Sequence, residues 1–365
     1  MSVAFLLARA GRWLLDSGIQ EPSGGVARFY RSEIGRNKPV SAEITGYAAS
    51  ALAYLFQITG DEEYLERARK TARFLVDRAW NADLLTFPFE YPSPSLESPH
   101  HAYFFDCGII IRGLLAVWRH TSEQQLLDIA RAAAHRMIAD FRTGGDYHPI
   151  IDLPSKKPLP RTEQWSRTPG CYQLKAALSW WEVADATGEN ALRDAWLDMM
   201  NSALLTHAGY LPGAEDKHRV MDRLHPYCYF LEGLTPLLDR VECAKAYIQG
   251  IYSVSRYARE IAPSFARSDV YAQLLRARIY GAAAVGINAG AAAEEADALT
   301  GFQADSEDPR IDGGFFFGRR DGEMSPHVNP VSTVFALQAL EMWREFQVNS
   351  EAQAEGNPPC RKILI

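Results

Sequence analysis

Thr59-Gly60-Asp61, Thr121-Ser122-Glu123 and Thr187-Gly188-Glu189 are three versions of one turn. Each follows a stretch of small and apolar residues and precedes a charged, amphipathic one. The turns stand 62 and then 66 residues apart, close enough to be a period. A fixed period is the mark of a repeated supersecondary unit.

Working outward, apolar spacing at the helical period gives six pairs of helices. They are expected at 3–18 with 42–57, 62–79 with 105–120, 123–141 with 170–186, 190–206 with 225–238, 242–259 with 266–284, and 286–300 with 328–346. The second members are nearly free of charge at their centres, as in Tyr47 to Leu55 or Cys107 to Leu115, so they read as buried on most sides. The first members keep one wet face, with Glu62, Glu63, Glu66, Arg67, Lys70 and Arg73 around Tyr64, Leu65, Ala68, Phe74 and Leu75. Twelve helices that alternate this way close economically as an inner six-helix ring inside an outer one. The expected fold class is therefore all-α, an (α/α)6 toroid, with one domain over 1–348 and a loose tail over 349–365.

Connections give the toroid a polarity. From a buried helix to the next outer one the chain needs a few residues, whereas 19–41, 80–104, 142–169, 207–224 and 301–327 are long and rich in Pro, Gly and aromatics. Loops of this length are commonly functional. They gather at the end where the inner helices start, which places the expected site there.

Composition narrows the function. The chain has 365 residues, 47% of them apolar, and a net charge of −7 with both signs mixed along it, which argues against a nucleic-acid or anionic-membrane partner. No apolar run reaches the ~20 residues of a membrane helix. The segment Val3 to Ala8 is interrupted by Arg9, Arg12 and Asp16 and reads as an amphipathic helix, not a signal peptide. Cys107, Cys171, Cys228, Cys243 and Cys360 have neither paired nor metal-type spacing, so buried thiols in a reducing, cytoplasmic compartment are expected. Nothing in the sequence fixes an oligomeric state.

The alternation of helices resembles the six-hairpin superfamily: unsaturated glucuronyl hydrolases, the N-acylglucosamine 2-epimerase group, the C-terminal domains of glucuronyl C5-epimerases and, in a related toroid, squalene cyclases and prenyltransferases. More narrowly, Glu43-Ile44-Thr45-Gly46-Tyr47, the stretch Phe105 to Leu115 and Asp312-Gly313-Gly314-Phe315 are similar to elements of toroid proteins from polysaccharide loci, often labelled prenyltransferase-like. The cyclase and prenyltransferase branch fits less well, because neither an Asp-x-Asp-Asp cluster nor a His/Cys/Asp zinc set is found. The sugar-processing branch fits better and implies a saccharide ligand.

Polar groups cluster where the inner helices begin. Glycoside hydrolysis needs an acid for the leaving oxygen and a base or nucleophile on the other face of the ring. Glu43 and Asp106, on adjacent inner helices, are the expected pair, and capping of their own helices is the plainer alternative. His225 and His327 offer a second mechanism, similar in placement to the paired histidines of the 2-epimerase group, since imidazole suits proton abstraction near neutral pH. Tyr30, Arg31, Tyr47, His101, Tyr103, Trp165, Tyr227, Arg267, Asp269 and Asp312 are expected to bind the sugar. Arg28 and Phe89 belong to the same basic and aromatic loops. His100-His101 lacks a third ligand, so neither a metal nor a cofactor is expected.

Three functions follow. The first is general acid/base action on a glycan, a uronic-acid-containing one among those considered, most simply by hydrolysis. The second is sugar epimerisation or isomerisation by His225 and His327. The third is a non-catalytic glycan-binding or polysaccharide-assembly subunit.

Overall fold

The threonine of each repeated turn works in the same way. The hydroxyls of Thr59 and Thr187 donate to the carbonyls of Leu55 (2.7 Å) and Val183 (2.8 Å). Those of Thr59, Thr121 and Thr187 accept from the N–H of Asp61, Glu123 and Glu189 at 3.1, 3.3 and 3.4 Å. Gly60, Ser122 and Gly188 between them adopt left-handed backbone, with φ of 72°, 56° and 80°, and cap the carbonyls of Phe56, Trp118 and Ala184. One short sequence thus ends a helix and launches the next.

The structure, a computed structural model, describes residues 3–89, 100–211, 216–352 and 365, with backbone alone over 349–352. Twelve α-helices lie among the described residues, which are 64% helical. They are α1 (Val3–Asp16), α2 (Ala42–Thr59), α3 (Glu62–Phe74), α4 (Phe104–Thr121), α5 (Gln124–Phe141) and α6 (Gln173–Thr187). The second six are α7 (Asn190–Thr206), α8 (Lys217–Gly233), α9 (Val241–Ile261), α10 (Ser268–Val285), α11 (Ala289–Thr300) and α12 (Pro330–Ala352).

One compact unit comprises residues 19–28 and 37–206. Here α2, α4 and α6 lie side by side, with α3, α5 and α7 against them. Small residues let the inner helices touch through their backbones. A Cβ on Gly113 would fall 2.5 Å from the Gly46 carbonyl oxygen, and one on Gly108 would fall 2.4 Å from that of Ala176. The second unit comprises residues 1–18, 29–36 and 207–365. Its α8, α10 and α12 are neighbours, with α9, α11 and α1 packed on them.

The long connections carry short strands that feed straight into inner helices. Val40–Ser41, paired with Val26–Ala27, leads into α2, and His100–Tyr103, paired with Ile150–Leu153, leads into α4. In the second unit Phe265–Arg267 leads into α10 and His327–Val328 comes just before α12. Ladder hydrogen bonds therefore fix the entry to α2, α4 and α10.

Two boundaries differ from expectation. The fourth inner helix runs over 217–233, not 225–238, because Asp216 caps it by accepting from the Arg219 N–H at 3.0 Å. His225 and Tyr227 thus sit in mid-helix, beside an internal Pro226, and do not open it. The helix α12 extends to Ala352, into the expected tail, and Ile365 is buried.

Candidate active site

In the first unit, the caps of the inner helices are supplied by other residues than the candidate carboxylates. Ser41 caps α2 by accepting from the Ile44 N–H at 3.3 Å, so Glu43, in the first turn, is not the cap. Tyr103 holds the cap position of α4 without a side-chain bond, and Asp106 follows in the first turn. Asp106 is 5% exposed, and its Oδ2 is buried with no hydrogen-bond partner among the described residues. A buried, unsatisfied carboxylate oxygen is costly, and such groups concentrate where chemistry is done.

The two carboxyls act on one another. Burial is the largest influence on Glu43 and pushes its pKa up to about 7, against the opposing charges of Arg28 and Lys175. Burial likewise raises Asp106 well above the ordinary carboxylate range, and the neighbouring Glu43 charge raises it further, while Arg28 opposes. Two like charges brought together in a dry site cannot both ionise easily, so near neutral pH the pair holds a proton. Glu43 faces two cations and Asp106 one, which leaves the proton with Asp106.

Cations and rings wall this pair. The Arg28 guanidinium lies over the Phe89 ring at 5.2 Å, and Phe89 meets Tyr103 at 4.7 Å between centroids. The Phe89 N–H donates to the His101 carbonyl at 2.9 Å. His101 stands opposite Asp152 in its strand pair, and burial lowers its imidazole pKa against that carboxylate. Trp165 meets Tyr172 edge-on at 5.2 Å, and Tyr172 in turn lies against Phe105 at 6.2 Å. The ammonium of Lys175 lies 5.3 Å from the centroid of the Tyr47 ring.

The second unit holds a separate cluster around His225. Its Nδ1 lies 2.7 Å from Gln273 Oε1 and 3.3 Å from Asp269 Oδ2. Two acceptors at Nδ1 place a proton there, so that Nε2 is the basic nitrogen whenever the ring is neutral. Arg267 grips Asp269 with a two-pronged fork, at 3.0 and 2.6 Å, and reaches Asp222 at 3.3 Å. Burial pushes Asp269 up, but the charges of Arg267 and His225 outweigh it and hold the carboxyl below its usual range.

The remaining candidates are placed as follows. His327 lies in its strand opposite Arg31, its ring 4.7 Å from Phe29, while Arg31 pairs with Glu33. Tyr30 is 4% exposed beneath the Arg310 guanidinium, 4.6 Å away. Asp312 pairs with Arg9 of α1 and accepts from the Ser306 N–H at 3.1 Å. Tyr227 bonds His207 Nδ1 at 2.9 Å and packs on Phe230. These last three are engaged in holding loops and helices together.

Lys175 and Gln273 were not among the expected site residues. Both are fully buried polar side chains on inner helices. The signal was a lone lysine in an otherwise apolar segment, Cys171-Tyr172-Gln173-Leu174-Lys175-Ala176-Ala177, and Gln273 likewise between Ala272 and Leu274. Buried ammonium groups are rare without a partner or a function. Among the described residues no group of three or more His, Cys, Asp or Glu side chains gathers as a metal set.

No family model matches the chain, and no curated protein matches it. Solved structures do. Cellobiose 2-epimerase from Bacillus thermoamylovorans superposes with a TM-score of 0.71 at 11% identity, covering 93% of this chain and 99% of that one. A D-mannose isomerase gives 0.70 at 11%, covering 94% and 98%. An α-amylase from Clostridium perfringens gives 0.61 at 12%, covering 93% and 98%. The chain has the all-α (α/α)6 toroid fold. A fold that carries an epimerase, an isomerase and an amylase does not choose among them, so the reaction must be argued from the site.

Proposed function

We propose that the chain is a carbohydrate-active enzyme that cleaves a glycosidic bond by general acid/base catalysis, with Asp106 as the acid and Glu43 as the base or nucleophile. The observation that carries this reading is the carboxyl pair itself: Asp106 is buried, with Oδ2 lacking a hydrogen-bond partner among the described residues, and the neighbouring Glu43 raises it further above the ordinary carboxylate range. Asp106 delivers its proton to the leaving oxygen. Glu43, ionised, activates water or attacks the sugar carbon. As Asp106 loses its proton, the Arg28 charge stabilises the carboxylate that forms. Phe89, Tyr103 and Trp165 offer flat faces for the sugar, and Arg28 favours a substrate with a carboxylate of its own, such as a uronic acid. Cys107, Cys171, Cys228 and Cys243 are buried thiols, which supports a cytoplasmic setting.

A second reading, sugar epimerisation, is favoured by one observation: the His225 ring is oriented by Gln273 and Asp269 with Nε2 as its base. Substitution separates the two. In a screen of oligosaccharides, Glu43→Gln and Asp106→Asn should each lower the rate about 10²–10⁴-fold, and His225→Asn and His327→Asn much less. The reverse ranking transfers the reaction to epimerisation. Tight binding without turnover transfers the chain to a non-catalytic, glycan-binding role.

A further inference from the structure

Residues 349–362 contain no Leu, Ile, Val or Phe, and then Ile363-Leu364-Ile365 follow in a row. An aliphatic run closing a polar stretch gains by burial. Ile365 is buried, 3% exposed, in the second unit. Its N–H donates to Gln338 Oε1 at 3.0 Å, and its carbonyl accepts from Arg276 Nη1 at 3.3 Å. Both side chains are fully buried.

The seat is built from three inner helices. Arg276 of α10 also donates to Gln338 Oε1 of α12 at 2.9 Å and pairs with Glu232 of α8, which is fully buried too. Its guanidinium lies over the Phe335 ring at 4.0 Å. Burying such a cluster is expensive, and one polar side chain too few would leave a charge uncompensated. What it offers in return is a donor and an acceptor fixed at the spacing of one residue's C=O and N–H.

We propose that Arg276, Gln338 and Glu232 form a binding site for the main chain of a branched aliphatic residue, and that Ile365 of this chain is its occupant. The site serves as a latch. Arg276 lies two helical turns beyond Asp269 on α10, and Phe335 beneath it meets Tyr229 at 6.5 Å, which meets His225 at 4.5 Å. A docked Ile365 therefore joins α10 to α12 under the histidine cluster. This inference does not rest on the carboxyl-pair mechanism, and its test needs no substrate.

Two measurements on the full chain decide it. Hydrogen exchange at the Ile365 amide should be at least about 10-fold slower in the native protein than in the urea-unfolded one, because exchange waits on local opening. Ile365→Asp, which would bury a charge at a position only 3% exposed, should speed hydrogen exchange over 268–285 and 330–348, whereas Ile365→Val should not. Equal exchange at the Ile365 amide in the two states overturns the proposal, and so does unchanged exchange over the two helices in Ile365→Asp.

Discussion

The Lys175 ammonium lies over the Tyr47 ring, 5.3 Å from its centroid. Tyr47 is one helical turn from Glu43, so this contact places a fully buried cation on the face of α2 that carries the candidate base. A charge in a dry setting acts strongly on its neighbours. Lys175 thereby helps to keep Glu43 ionised while Asp106 holds the proton.

Removing that cation should be visible in the pH dependence. With burial lifting Glu43 to about 7, activity should rise as pH passes through that value, and Lys175→Met should move the acid limb of kcat/KM to higher pH. An unmoved limb would show that Lys175 only packs against Tyr47.

The raised carboxyls also make a statement about stability. A carboxyl whose folded pKa lies above its unfolded value of about 4 is favoured protonated in the fold, so its contribution is present at low pH and is lost as pH rises through the folded value. Burial and the Glu43 charge place Asp106 in this class. Asp106→Asn should therefore stabilise the protein at about pH 8, on the order of 1 kcal/mol, and the gain should shrink toward about pH 4. Chemical denaturation at the two pH values measures this, and equal stability at both would remove the site from the list of strained carboxyls.

Ser122 occupies a turn position that its two relatives give to glycine. Its φ of 56° is in the left-handed region, which costs a side-chain-bearing residue about 1–2 kcal/mol. Ser122→Gly should raise stability by roughly 0.5–1 kcal/mol, less than the strain because glycine also gains freedom in the unfolded chain. A loss of stability would mean that the serine hydroxyl does more in the turn than the backbone does.

How far the sequence reached depends on which interaction set each feature. Thr59, Thr121 and Thr187 announced their turns because capping and left-handed geometry are local, and the helix pairs followed from apolar period alone. The start of α8 was missed because the cap lies at Asp216, far upstream of the apolar run that begins near Leu224. Glu43 and Asp106 stood out as carboxylates at inner-helix starts. The coupling between them did not, since it depends on α2 and α4 touching through Gly46 and Gly113, a long-range fact. Asp312 looked like its equals by position and instead pairs with Arg9, 303 residues away in sequence.

The central claim, a proton shared between Glu43 and Asp106, can be measured without a substrate. Carbon-detected NMR of the side-chain carboxyls, assigned with Glu43→Gln and Asp106→Asn, follows each titration directly. The account predicts that Glu43 titrates near 7, that Asp106 stays protonated well above the ordinary range, and that Glu43→Gln lowers the pKa of Asp106. Two independent titrations near 4, each indifferent to the other's removal, would contradict it.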